Sequence, residues 1–418
     1  MSDAGVATAQ RSAPPDRTVE GRGAWYAAAA ALAVLSVSYG SPLLVVVGLK
    51  PITASLGTVR EIVSLAAALT WVGTGLGGIL MGWLADRISI RRTVAFGATM
   101  IAAGLAVSSL GTIWALFVGQ GLLMGLLGNG AMFPPLLVYV SRWFERRRGT
   151  ALALIASGQY VAGMLWPSLF QLGIARFGWQ GTMLGFGAVC ACVIPPLALL
   201  LHPAPTAVAG DGVLPAPRRS TLGLPPNLVL VLLGAAGFCC CVPMALPQSH
   251  LVAFCSDIGI PPAQGAAMLS VMTACAFLSR QFWGWLADRI GGLAMLIIGS
   301  TCQALAIAAF LLTQDEAGLF AVAAAFGLGF SGIVPAYVLI VRELFPSSEA
   351  SWRVPTVLFI SMSGMAFGSW FAGALYDRFG YYAPAFGFGV LFNLFNLTII
   401  AFLLLRQGLR PGMRAAAA

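Results

Sequence analysis

Residues Gly82-Trp83-Leu84-Ala85-Asp86-Arg87-Ile88 recur letter for letter as Gly284-Trp285-Leu286-Ala287-Asp288-Arg289-Ile290, 202 positions later in a chain of 418. Seven identical letters at about half the chain length mark an internal duplication, which decides the architecture before any single motif does. Phe177-Gly178-Trp179 and Phe379-Gly380-Tyr381 keep the same offset, and Pro134 with Pro335 misses it by one. The two halves read as parallel copies of one unit.

Composition names the solvent of that unit. Hydrophobic residues make up 59% of the chain, charged residues only 9%, and the mean hydropathy is +0.89. A soluble domain is about one quarter charged, so these few charges cannot cover a water-exposed surface. A soluble enzyme, a disordered chain and a secreted disulfide scaffold are excluded. A polytopic membrane protein remains, in which each crossing needs ~20 apolar residues.

Apolar segments lie at 25–49, 62–85, 93–112, 113–140, 149–172 and 180–201, then at 227–247, 264–286, 293–313, 317–341, 354–376 and 383–405. The expected fold is therefore all-α and membrane-embedded, with twelve transmembrane helices in two six-helix pseudo-symmetric bundles. Its parts are an N-terminal tail (1–24), a first bundle (25–201), a linker (202–226), a second bundle (227–405) and a C-terminal tail (406–418). The stretch from Arg11 to Arg22 is polar and lacks the apolar core of a signal peptide, so the first span is read as retained. With twelve spans, eighteen of the 23 Lys and Arg fall on the side of the termini; Lys50, Arg60, Arg176 and Arg378 fall on the other, and Arg280 lies inside a span. By the positive-inside rule both termini are cytoplasmic, in a plasma (inner) membrane. The net charge of +9 is thereby explained without a nucleic-acid partner. Eight cysteines without CxxC spacing and two histidines, His202 and His250, supply no metal or catalytic cluster, so no cofactor and no enzymatic role are expected.

The loop after the second span carries Gly82, Leu84, Ala85, Asp86, Arg87, Arg91 and Arg92. It resembles the signature of the major facilitator superfamily, approximately G-x-L-A-D-R-x-G-R-R, over a chain whose whole length suits that family. Ser89 stands where the pattern has its second glycine, and Ile90 shifts the basic pair. The second copy keeps Asp288, Arg289 and Gly291 but lacks the distal arginines, which makes it the weaker electrostatic latch. Gly82 and Gly284 would let helices approach closely, and Asp86 and Asp288 would pair with arginines or meet a helix N-terminus. Gly82, Asp86, Arg87, Arg91, Arg92, Gly284, Asp288, Arg289 and Arg142 are the candidate gating residues; the plainer reading is a solvated turn.

Arg280 interrupts the apolar run from Met268 to Leu286. An arginine at a helix centre costs about 2.5–3.5 kcal/mol on the insertion scale, so it should face the bundle interior, where its planar fork suits a carboxylate. Snorkelling toward the membrane surface or a structural ion pair is the alternative. Arg142-Trp143-Phe144-Glu145-Arg146-Arg147-Arg148-Gly149-Thr150-Ala151-Leu152, Ala156-Ser157-Gly158-Gln159 and Gly163 resemble monocarboxylate-transporter-like and oxalate/formate-exchanger-like members of the superfamily. So does Ser249-His250-Leu251-Val252 leading to Asp257-Ile258-Gly259-Ile260, then Ser279-Arg280. That resemblance implies that Arg280 binds the substrate carboxylate. It also exposes two departures: Ala276 replaces an aspartate implicated in proton coupling, and the first span carries no basic residue after Tyr39-Gly40-Ser41-Pro42 until Lys50. The coupling partner, a proton or a counter-anion, stays open; His250 and Asp257 are titratable but are expected in a loop outside the seventh span.

Phe133, Tyr337, Tyr39, Gln159 and Asn396 complete the candidate substrate path with Arg280, each polar one among them being as readily an interhelical hydrogen-bond partner, as is Asn393. Gly73/Gly75/Gly78 and Gly327/Gly329/Gly332 match GxGxxG without a soluble βαβ unit and are read as helix-packing glycines. The glycine–proline pattern of drug/proton antiporters is missing from span five, where Gly158 and Gly163 precede Trp166-Pro167. The expected function is secondary active transport of a small organic anion, a monocarboxylate, by a rocker-switch monomer in the lipid bilayer. The alternatives are a drug-like or dicarboxylate antiporter and a non-transporting sensor.

Overall fold

The computed structural model describes residues 21–144, 147–202 and 222–408, with side chains for all of these but 86, 148, 149, 288, 347, 348, 350 and 351. Most of both tails and of the linker lie outside the described residues. Eleven apolar helical segments are long enough to cross a membrane, among them Arg22–Val47, Arg60–Ala85, Ile113–Ser141, Pro226–Asp257, Pro262–Ala287 and Trp352–Phe379. The fifth, Thr150–Leu199, has 50 residues; straight, it would measure about 75 Å, more than twice a ~30 Å hydrocarbon core. It bends at Gly178, whose φ of 71° is open to glycine. The segment is two spans, which makes twelve among the described residues.

Gly380, with φ 82°, makes the equivalent turn between spans eleven and twelve. The repeated Phe-Gly-aromatic triplet is thus a helix-ending device used once per bundle. The repeated heptad also ends on matching geometry: Gly291 has φ 80° and Ser89 has φ 126°. A side chain at that φ is strained. Ser89→Gly is therefore expected to stabilise the protein by about 1 kcal/mol, with the melting temperature in detergent as the check.

Two spans depart from the straight helices expected. The first breaks at Tyr39 and Gly48 into Arg22–Ser38, Gly40–Val47 and Leu49–Ser55. The fourth is wound as a π-helix over Val118–Gly128 and a short 3-10 turn before Phe133–Ser141. Its glycine-rich backbone presses carbonyls onto span two: a Cβ on Gly77 would overlap the Leu126 oxygen, and one on Gly73 the Gly121 oxygen. Glycine is required there by contact, as the packing reading expected.

Span seven corrects the sequence reading. The apolar segment ends at residue 247, but the helix runs Pro226–Asp257. Gln248, Ser249 and His250 depress a hydropathy average, yet Leu251-Val252-Ala253-Phe254-Cys255 resume the apolar run and are buried. His250 and Asp257 are helix residues, not loop residues.

The bundles meet along two seams. Span two lies on span eleven, where a Cβ on Gly373 would meet the Ser64 hydroxyl at 2.7 Å and the Arg60 carbonyl at 3.0 Å. Span five lies on span eight, where Gly163 faces Thr273 and the Ser168 and Ser270 hydroxyls stand 3.3 Å apart. With twelve spans among the described residues, the start of the first helix at Arg22 and the end of the last at Gly408 share one face, here the terminal face; the other is the far face.

Candidate functional site

Span eight carries Arg280 ten residues from the end of its helix Pro262–Ile290, about 15 Å along the axis. Its head does not follow the stem toward the surface. The guanidinium carbon stands 5.3 Å from the ring centroid of Tyr160, which belongs to span five of the other bundle. Tyr160 is buried, its hydroxyl donates to the Ser331 carbonyl at 3.5 Å, and its ring packs edge-on against Phe330. The Ser279 and Ser331 hydroxyls meet at 2.8 Å alongside.

Within this setting the Arg280 Nε is buried and has no hydrogen-bond partner. Among the described residues no carboxylate pairs with Arg280; the ion pairs found use Lys50, Arg60 and Arg353. A buried N–H left empty costs about 1–3 kcal/mol, more on a charged group. The group is an unfilled charged donor, and it stands where the two bundles meet.

The other path candidates divide. Gln159 is half-buried and precedes Tyr160 in sequence. Tyr39, at the first break in span one, packs edge-on against Phe133, with centroids 5.7 Å apart. No hydrogen bond or ring contact joins that pair to Arg280 among the described residues. Tyr337 and Asn396 are fully buried and bonded to each other at 2.8 Å, and Asn396 also donates to Ser300 at 2.9 Å. They tie spans nine, ten and twelve together within one bundle, the interhelical role, and the structure does not bring them to Arg280.

At the terminal face Arg87 stacks on Trp83 and Arg289 on Trp285, each at 4.1 Å. Arg91 donates to the Leu201 carbonyl, Arg92 takes its backbone cap from Ser89, and Arg142 is exposed. A Cβ on Gly82 or Gly284 would meet nothing within 4 Å, so the close helix approach expected there is absent from this conformation. The side chains of Asp86 and Asp288 lie outside the described residues. Two groups missed by the sequence reading act nearby. Glu343 accepts from the Gly292 N–H at the start of span nine. Arg353, only 4% exposed, pairs with Glu349 at 2.7 Å and reaches Asn227 and the Pro226 carbonyl at the start of span seven.

The largest omission is at the far face. Arg60, the first residue of span two, sends Nη1 and Nη2 to the two carboxylate oxygens of Asp257 at 2.5 and 2.8 Å, across the bundle interface. Lys50 reaches Asp257 at 2.9 Å and Ser256 at 3.0 Å. The Arg60 Nη1 also donates to the Tyr382 hydroxyl at 2.9 Å, and the guanidinium lies 3.7 Å over the Tyr376 ring. Asp377 accepts the backbone N–H groups of Arg60 and Glu61 at 3.1 and 2.6 Å, a carboxylate on the positive end of span two. Glu61 accepts from the Trp370 indole at 3.1 Å. Burial pushes the Tyr382 hydroxyl above its ordinary range against the pull of Arg60, so it stays a neutral donor. The signal in sequence was the pair Lys50 and Arg60, basic residues on the side where few are found.

Comparison with known proteins agrees with this architecture. Residues 26–254 and 233–416 match the family model of the Major Facilitator Superfamily. The chain is 27% identical over 355 residues to monocarboxylate transporter 13 of Bos taurus, covering 80% of each, and 28% identical over 414 residues to monocarboxylate transporter 11 of Homo sapiens, covering 91% of this chain and 82% of that one. Its fold matches a bacterial homologue of the human lysosomal transporter Spinster in an inward-facing, unoccupied conformation, with TM-score 0.67 at 15% identity over 92% and 97% of the two chains. It also matches the peptide transporter POT in complex with sulfate, with TM-score 0.69 at 14% identity over 91% and 94%. The chain belongs to the major facilitator superfamily and is a multi-pass membrane transporter, not an enzyme.

Proposed function

We propose that this transporter moves a small organic anion, a monocarboxylate, by alternating access, with Arg280 as the anchor for the carboxylate. The observation that carries the reading is the buried, unpartnered Arg280 Nε at the seam between the bundles. The relatives named as monocarboxylate transporters support the same class. A single carboxylate is favoured because the Arg280 Nε is a lone buried donor, with no second cation in contact with it among the described residues to balance a second carboxylate. Lys50 and Arg60 are committed to Asp257 at the far face. Both termini are assigned to the cytoplasm of a plasma (inner) membrane, so the far face is the outer one and is closed here by the Arg60–Asp257 pair. The heptad loops, with Asp86, Arg87, Asp288 and Arg289, are assigned to the opposite gate. The carrier works as a monomer.

Uptake of labelled acids into proteoliposomes, at two pH gradients, tests the substrate class. Acids with one carboxylate should enter, and dicarboxylates at least about tenfold more slowly, because a second buried carboxylate would lack a partner. Transport of an uncharged or cationic solute with no uptake of any carboxylate would overturn the proposal. A dependence on the imposed pH gradient would identify the proton as coupling partner; acceleration by an internal acid would identify exchange.

A further inference from the structure

We propose that His250 is a proton-binding site that unlocks the far face: a proton taken up at its Nδ1 displaces the Tyr382 hydroxyl and, through it, the Arg60 side of the Arg60–Asp257 latch. The proposal rests on the alternating-access reading above and adds to it the ligand that governs one gate.

The hydrogen-bond directions around His250 are fixed by chemistry. Its Nε2 lies 2.8 Å from the Ser369 carbonyl, which only accepts, so Nε2 carries a hydrogen. Its Nδ1 lies 3.0 Å from the Tyr382 hydroxyl. That hydroxyl already accepts from Arg60, which only donates, and its own hydrogen is directed to Nδ1. The chain therefore runs from Arg60 through Tyr382 to His250 and on to Ser369, with every group satisfied when the imidazole is neutral. His250 is 2% exposed and Tyr382 3%, so the imidazole and its hydroxyl partner are both buried.

A second proton breaks that order. Nδ1–H and the Arg60 N–H would converge on one oxygen, the Tyr382 hydrogen would lose its acceptor, and two cations would flank a single hydroxyl. The charges around the site offer no relief. Lys50 and Arg60 share Asp257; Asp377 is held by two backbone N–H groups of span two; Glu61 is held by Trp370; Tyr376 stacks on Arg60. The strain falls on Arg60, the residue that crosses the interface. Opening of the span two–span eleven seam admits water to His250, so the proton binds the open state better and draws the population toward it. The span five–span eight seam, held by Gly163, Thr273 and two serine hydroxyls, carries the Arg280 guanidinium beside Tyr160 but, among the described residues, no carboxylate or imidazole in contact with it for a proton to act on.

Amide hydrogen exchange of the substrate-free protein in nanodiscs, corrected for intrinsic rates, tests this between about pH 8 and about pH 5.5. Peptides covering residues 56–64 and 250–258 should exchange about five- to tenfold faster at the lower pH in the wild type. His250→Asn keeps an acceptor for Tyr382 and a donor for Ser369 but does not titrate, and its exchange should be independent of pH. Tyr382→Phe removes the relay and should also abolish the response, while melting cooperatively. A flat wild-type profile, or an undiminished rise in either variant, as Asp257 titration would give, overturns the proposal. Arg280→Ala should keep the full response. A carrier that moves no carboxylate yet shows it would sink the substrate assignment alone, and one that moves carboxylates without it would sink only this inference.

Discussion

Arg280→Ala is expected to lower kcat/KM for the transported acid by roughly 30- to 4000-fold while raising thermal stability. The first half follows from removing one member of a desolvated charge pair, worth about 2–5 kcal/mol. The second follows because the empty carrier holds an orphaned, buried N–H on a charged side chain, and alanine removes that burden and favours the helix. A purely structural arginine would do the opposite, destabilising the protein when lost. Arg280→Lys separates charge from geometry: it keeps the cation but not the planar fork, so KM should rise about tenfold with folding unchanged. The measurements are uptake into proteoliposomes and a melting curve for each variant. Equal uptake by wild type and Arg280→Ala would falsify the anchor assignment.

The architecture was legible because it is written in long-range regularities. A seven-letter repeat, matched Phe-Gly-aromatic triplets and an asymmetric distribution of arginines each survive without knowledge of any contact, and the helix-ending turns at Gly178 and Gly380 explain why the triplets repeat. Arg280 stood out for a similar reason, since a charge inside an apolar run is improbable wherever the helix packs. The weaker candidates were ambiguous for a physical cause. A polar side chain in a membrane bundle turns inward whether it meets substrate or another helix, so Tyr337 and Asn396 carried the same sequence signal as a path-lining residue, and their mutual bond became visible only in the fold. The end of span seven was lost because a window average cannot distinguish three polar residues on a buried helix from the start of a loop. The far-face latch joins residues 197 positions apart, and its partners are unremarkable one at a time. Lys50 and Arg60 as exceptions to the charge rule, with Asp257 as an unexplained acid, were its trace in sequence.

Asp257→Asn should turn that latch into a repulsive contact and leave the far face open at every pH. Asp257 balances two cations, and Arg60 is only 8% exposed; breaking such a pair from one side costs about 3–5 kcal/mol, because the remaining charge stays buried without a partner. A free-energy change near 5.5 kcal/mol carries a two-state equilibrium from 1:99 to 99:1, so this penalty suffices to move a strongly closed gate to parity or beyond. Exchange at residues 56–64 should rise to or above the level the wild type reaches only at low pH, and net uptake should fall because the carrier no longer returns readily to the state shown here. The double variant Arg60→Gln/Asp257→Asn removes both charges of the bidentate pair and should close the gate partly again, a coupling that additive damage to the fold would not produce. Asp377 still caps span two in all of these variants, so opening should begin at the Arg60 side chain rather than by loss of the helix. Peptides from the span five–span eight seam should remain protected, since the Ser168–Ser270 contact and the Gly163–Thr273 packing carry no charge to release. Equal deprotection of both seams would instead mean that the bundles separate as a whole, and that the ion-paired seam is no more a lock than the one without an ion pair.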